Sequence, residues 1–206
     1  MAAELYFIYD THCPWSYATT PLVNAVKQTL PEVTLNLWHC AYFSGADGDN
    51  IITRQQIAQV KDLSRINFSP EYMKGLSQGR DSTLCANLMT WAANKTPQQA
   101  LTLLNALQSA HFSAGNQLLE PADLTDTVEQ LKLSVPAKVF NKAKLTNDAQ
   151  AQVHEIYALQ EIIETQAIPA LLLAIDNELI LLDHSLYLQN PVEFTDAIKL
   201  ELNKDN

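Results

Sequence analysis

The chain has 206 residues, 47% hydrophobic and 17% charged, which is the profile of an ordinary globule holding one domain with a large insertion or two small domains. A net charge of −10 and a pI near 4.8 argue against nucleic acid and anionic membranes as partners, since both call for a basic face. No apolar run reaches the roughly 18 residues of a membrane span. Three cysteines spaced far apart make no disulfide framework, and no leader-type segment opens the chain, so the expected location is the cytoplasm.

Leu5 to Tyr9 is an apolar, aromatic and β-branched run of strand length, as in a strand covered on both faces. Asp10 to His12 turn the chain into Cys13-Pro14-Trp15-Ser16, and Pro14 fits the first position of a helix running to about Leu30, with Pro21 inside it. Cys13 therefore stands at the positive end of a helix. There a thiolate is stabilised, and the pKa is expected to fall from about 8.5 toward roughly 3.5–7.5. That makes Cys13 a nucleophile candidate and the one strongly reactive thiol expected of the three.

Pro31 ends the helix, and Val33 to Cys40 alternates apolar with more polar residues as a second strand does. Strand, helix and strand in forty residues predict a parallel βαβ unit. Gly45, Asp47, Gly48, Asp49 and Asn50 read as a loop. From Ile51 to about Thr165 the pattern is helical throughout, with helices expected at Thr53–Leu63, Ser82–Ala93, Pro97–Phe112, Pro121–Leu131, Pro136–Lys144 and Asp148–Glu164. Ala170–Ile175 and Glu178–Leu182, around Asp176-Asn177, read as a hairpin, and a helix from Pro191 to Leu202 follows.

This order, βαβ, a helical block, then ββα, with Cys13-Pro14-Trp15-Ser16 at the first helix and Ile168-Pro169 before the hairpin, resembles a thioredoxin fold of the DsbA-like kind. The stretch HFSAGNQLLEPADLTDTVEQLKL is similar to the insert signature of DsbA-like and 2-hydroxychromene-2-carboxylate isomerase-like proteins. The fold class implied is α/β, with residues 1–45 and 166–206 forming the thioredoxin-fold domain and 46–165 a helical insertion domain. The resemblance also implies a cis Pro169, with the Ile168 backbone turned toward the nucleophile and open to an extended peptide or the cysteinyl part of glutathione.

The motif departs from a dithiol oxidoreductase at Ser16, whose hydroxyl can donate to a Cys13 thiolate but cannot form a disulfide. Kappa-class glutathione transferases and hydroxychromene carboxylate isomerases share the proline, the aromatic residue, the fourth-position serine and the aromatic that follows, here Tyr17. Three functions follow as expectations. The first is a monothiol thiol–disulfide oxidoreductase or isomerase, with Cys13 and Ser16 catalytic and a disulfide peptide or glutathione as partner. The second is a glutathione-dependent transferase or isomerase of the kappa type, and the third a non-catalytic binding module. His12, Pro14, Trp15, Ile168 and Pro169 are the expected substrate contacts. No tightly bound cofactor and no metal is expected, glutathione entering as co-substrate; the oligomeric state is open, a homodimer included.

Cys40, at the end of the neighbouring strand, is either a resolving thiol within roughly ten ångström of Cys13 or, more simply, a buried strand end. Cys85 reads as core. His12 can lower the Cys13 pKa or contact substrate. His39 reads as a strand end or, with Cys40, half of a metal site whose other ligands are missing at any usual spacing. His111, His154 and His184 read as surface or capping residues.

Overall fold

The computed structural model describes residues 3–44, 51–176 and 178–204. The expected loop at Gly45–Asn50 and Asn177 of the hairpin turn lie outside the described residues. Four strands, β1 (Ala3–Tyr9), β2 (Val33–His39), β3 (Ala170–Ile175) and β4 (Glu178–Leu182), form one sheet in the order β2-β1-β3-β4. β1 pairs parallel with β2, Leu5 opposite Leu35, and antiparallel with β3, Leu5 opposite Leu173. The first forty residues are thus the predicted βαβ unit, with α1 (Pro14–Thr29) as its crossover.

The period of two along β1 divides its side chains between two clusters. Leu5, Phe7 and Tyr9 join Ala18, Leu22 and Val26 of α1, together with Phe194 and Ile198 of the C-terminal helix, in the main core. Ile8 instead joins Cys40, Ala170 and Leu172 under Ile156.

The insert contributes α2 (Arg54–Ser64), α3 (Pro70–Lys74), α4 (Thr83–Lys95), α5 (Pro97–Gln108), α6 (Pro121–Gln130) and α7 (Asn147–Ile162), and the last helix is α8 (Pro191–Leu202). Leu84, Leu88, Leu103, Leu104 and Leu107 reach the same core as the strands, so sheet and insert share apolar packing. The architecture is the thioredoxin-fold α/β arrangement that the sequence predicts.

Three elements differ from expectation. α3 went unread, because five residues carry no helical period. The helix expected at Pro136–Lys144 is only a 3-10 turn at Ala137–Phe140. Its remaining backbone is committed elsewhere: the buried Asn87 amide donates to the carbonyls of Asn141 (3.0 Å) and Lys144 (3.2 Å), and its oxygen accepts the Thr146 N–H at 2.7 Å. The expected Pro97–Phe112 helix changes hand-hold near its end, where Ser109–Ser113 is a π-helical turn.

Asn87 is thus the clamp between α4 and the 141–146 segment. Asn87→Ala should lower stability by about 2 kcal/mol, since three part-buried hydrogen bonds are lost together. Urea unfolding checks this, and an unchanged midpoint would remove the clamp from the account.

Candidate active site

β1 ends at Tyr9, and the turn after it is built around Asp10. The Asp10 carbonyl accepts the Cys13 N–H at 3.1 Å, and its carboxylate Oδ1 accepts the His12 N–H at 2.8 Å, an Asx turn. Oδ2 accepts the Ser82 hydroxyl at 2.7 Å and the Phe43 N–H at 3.3 Å. The carboxylate has no exposure to water. Burial alone would raise its pKa, but His39, His12 and the Ser82 hydrogen bond hold it well below the ordinary carboxylate range.

Cys13 is the N-cap of α1, with Pro14 in the first turn, as the sequence predicts. Ser16 Oγ accepts the Asp10 N–H at 3.3 Å, which leaves its own proton for the Cys13 sulfur. The expected low pKa does not follow. Cys13 is only 7% exposed, and burial pushes the thiol up, with the buried Asp10 charge adding to that. The Ser16 hydroxyl and the backbone N–H groups of Ser16 and Trp15 pull the other way and do not overcome it. A helix N-terminus favours a thiolate, but here desolvation is the larger effect.

Beside Cys13 lies a cavity of about 390 Å³. Its wall draws on the motif at Cys13 to Trp15, on Tyr42 and Phe43 after β2, on Gln56 and Val60 of α2, and on Gln166 to Ile168, with Ile51 and Ile52 among the rest. A smaller cleft of about 220 Å³ shares Tyr42, Gln166 and Ile168 with it and has Cys40 in its wall. The Ile168-Pro169 bond is cis, matching the expectation from resemblance. Pro14, Trp15 and Ile168 thus border the cavity, while Ser16 and Pro169 are buried.

His12 does not fit its expected role as a substrate contact. It is fully buried, its Nε2 lies 3.0 Å from the Gln117 carbonyl, and its ring meets His111 at 4.5 Å. Packing of the insert over the turn draws it inward, away from the cavity.

Cys40 is 6% exposed, in an apolar cluster separate from that of Cys13, and burial pushes its thiol well up. Cys85 is core, also with a thiol raised well above its ordinary value by burial.

His39 is the last residue of β2, as the strand-end reading has it, and it is fully buried. Its Nδ1 faces the Ala41 N–H at 3.1 Å, and its Nε2 faces the Thr11 N–H at 3.1 Å and the Thr11 hydroxyl at 2.9 Å. Burial pushes its pKa down to about 4, against the pull of the Asp10 carboxylate, so the ring is neutral. Among the described residues, no group of three or more His, Cys, Asp and Glu could hold a metal ion.

His111, expected as a surface or capping residue, is not at the surface: it is 1% exposed. The π-helical turn carries it and Phe112 into the core, where Nδ1–H donates to the Asn116 carbonyl at 2.7 Å and Phe112 stacks on Tyr17 at 4.6 Å. Sequence reasoning missed Asp10 as an organising carboxylate, and it missed Gln56, Tyr42 and Gln166 as cavity wall. A signal for His111 did exist: it continues the Leu104, Leu107 stripe of α5 at helical spacing.

The buried neutral His39 has a measurable consequence. In the unfolded chain it binds a proton near the ordinary 6.5, and in the folded chain only near 4. Stability should therefore fall as pH drops from 6.5 toward 4, by up to about 3 kcal/mol from this residue. In denaturant unfolding across that range, His39→Gln should lose less stability on acidification than the native chain. An identical acid limb would show that His39 is not its source.

No family model and no curated protein sequence matches the chain. Solved structures do. The cytosolic disulfide reductase DsbM from Pseudomonas aeruginosa superposes with a TM-score of 0.82 at 21% identity, over 97% of this chain and 98% of that one. A second structure of DsbM, with GSH, gives 0.79 at 21% identity over the same shares. A 2-hydroxychromene-2-carboxylate isomerase gives 0.60 at 13% identity, covering 98% of each chain. The chain therefore has the DsbA-like thioredoxin fold.

Proposed function

We propose that the chain is a monothiol thiol–disulfide oxidoreductase that acts through Cys13 and uses glutathione as co-substrate. The observation that carries this is the setting of Cys13. It is an N-cap cysteine opening onto a cavity, with a serine hydroxyl, not a second thiol, directed at its sulfur. The similarity to DsbM, solved once with GSH, supports the substrate class. All three cysteines are free thiols, which suits a reducing compartment such as the cytoplasm.

In the reaction, Cys13 gives up its proton and the thiolate attacks the glutathionyl sulfur of a mixed disulfide. A bond forms from Cys13 to that sulfur, the old S–S bond breaks, and the released thiolate takes a proton. A glutathione thiolate then attacks the Cys13 adduct, oxidised glutathione leaves, and the Cys13 thiol is restored. The net exchange is one mixed disulfide and one glutathione for one protein thiol and one oxidised glutathione. Ser16 holds the thiolate by a charge-assisted hydrogen bond, and the peptide groups around Ile168 offer an edge for an extended substrate.

Burial costs Cys13 its thiolate at rest, so substrate entry into the cavity has to supply part of the stabilisation. The same protonated resting thiol favours a second reading, a glutathione-dependent transferase or isomerase in which the motif faces the thiol of bound glutathione. Similarity to the hydroxychromene carboxylate isomerase fold supports that reading too.

Incubation with oxidised glutathione followed by peptide mapping tests the proposal. Glutathione should be found on Cys13, and Cys13→Ser should abolish the adduct. A dominant Cys13–Cys40 crosslink would replace the monothiol scheme. Glutathione binding without any adduct would favour the transferase reading, and neither binding nor adduct would leave a binding module.

Ser16→Cys should raise disulfide exchange turnover, because a resolving thiol in the first helical turn is what the motif lacks. Turnover measured with the same mixed disulfide checks this, and no gain would mean that the cavity, not the missing thiol, sets the chemistry.

A further inference from the structure

α2 starts with a reciprocal cap. Thr53 Oγ1 accepts the Gln56 N–H at 3.1 Å, and Gln56 Oε1 accepts the Thr53 N–H at 2.8 Å and the Thr53 hydroxyl at 3.1 Å. A backbone N–H can be met only by the oxygen of a side-chain amide, so the cap decides which end of the Gln56 amide is which. The end left over is the N–H₂ group, which has no hydrogen-bond partner among the described residues. Gln56 is solvent-exposed and forms part of the wall of the cavity onto which Cys13 opens.

That wall contains, among the described residues, no lysine, arginine, histidine or carboxylate. An anionic or acceptor-rich ligand lying beside Cys13 therefore meets no cation there and must be held by neutral donors. Most of the wall is apolar or aromatic, Trp15, Phe43, Val60 and Ile168 among it. Gln56 has its donor end preset by a structural bond. Orienting it on binding costs little side-chain entropy, and its two N–H bonds suit the oxygens of a carboxylate.

Resting on the thiol-exchange reading above, we infer that Gln56 is a specificity-determining residue, its amide donating to a carboxylate or carbonyl oxygen of the ligand whose sulfur reacts with Cys13. The substrate class is a small peptidic thiol or disulfide carrying a carboxylate at a distance from its sulfur, and oxidised glutathione is the probe of that class.

Gln56→Glu separates this role from the cap. Glutamate still offers an oxygen to the Thr53 N–H, so α2 keeps its start, but the N–H₂ donor is gone. Two probes are compared by the rate at which Cys13 forms a mixed disulfide: oxidised glutathione, and hydroxyethyl disulfide, which has no carboxylate. The glutathione reaction should slow by about tenfold or more, the scale of one hydrogen bond to a charged group. The hydroxyethyl disulfide reaction and the thermal midpoint should stay at native values.

Because the variant also brings a negative charge, the comparison is repeated in about 0.5 M salt, which screens exposed charges. A loss that persists there supports the donor role; a loss that vanishes is plain repulsion and overturns it. Equal slowing of both probes, or of neither, overturns it as well. If the native chain forms no Cys13 adduct with either probe, it is the thiol-exchange reading that fails; if the native chain reacts and Gln56→Glu is indifferent, only the present inference does.

Discussion

The carboxylate of Asp10 sits where water does not reach, yet it stays charged, and the surrounding chain is arranged to make that tolerable. Its hydrogen-bond donors come from three places far apart in sequence: the motif turn at His12, the segment after β2 at Phe43, and the start of α4 at Ser82. Taking such a charge out of water costs several kcal/mol unless its lone pairs are filled. Filling them from three segments brings those segments together. Phe43 and Cys13, which both line the cavity, are anchored on one residue, so the cavity takes part of its shape from a carboxylate that is not in its wall. The backbone of the same residue reaches Ser16 and Cys13 and frames the nucleophile's turn.

At Cys13 two familiar effects oppose each other. The first turn of α1 supplies N–H groups and a hydroxyl that favour a thiolate, while the protein packed over the sulfur, and the nearby Asp10 charge, favour the thiol. The balance lies with the thiol at rest. A site arranged in this way keeps its nucleophile quiet until a ligand changes the local solvation, which is a form of selectivity that the motif by itself does not convey. Ser16 has a part in this beyond occupying a cysteine's place: its oxygen is a hydrogen-bond acceptor for the turn, and its proton is thereby aimed.

The fold was readable because its defining pieces are local. A buried strand running into Cys13-Pro14, the alternation of β2, and the aliphatic runs around Asp176 carry their own periodicity, and the structure places them as expected. The site was half readable. Cys13, Trp15 and Ile168 declare themselves through motif positions, but Gln56 looks from sequence like any glutamine in a first helical turn. His12 reads from sequence as a substrate contact until the insert folds over it, and contacts made across 105 residues, as from His12 to Gln117, leave no trace in a local pattern. The segment at 137–144 shows the opposite failure: its helical composition was overridden when the Asn87 amide took its carbonyls.

The π-helical turn at Ser109–Ser113 has an implication for how this chain can vary in length. Such a turn holds one residue more than an α-helix of the same rise. Deleting a single residue there would let α5 continue as a regular helix, and each position beyond would swing by about 100° around the axis. His111 and Phe112 would leave the core together, taking with them the stack on Tyr17 and the ring packed against His12. Length changes in the exposed connection at 141–146 only reposition a clamp. A one-residue change at 109–113 would unseat the layer directly behind the nucleophile, so among descendants of this sequence that region should hold its residue count more strictly than its residue types.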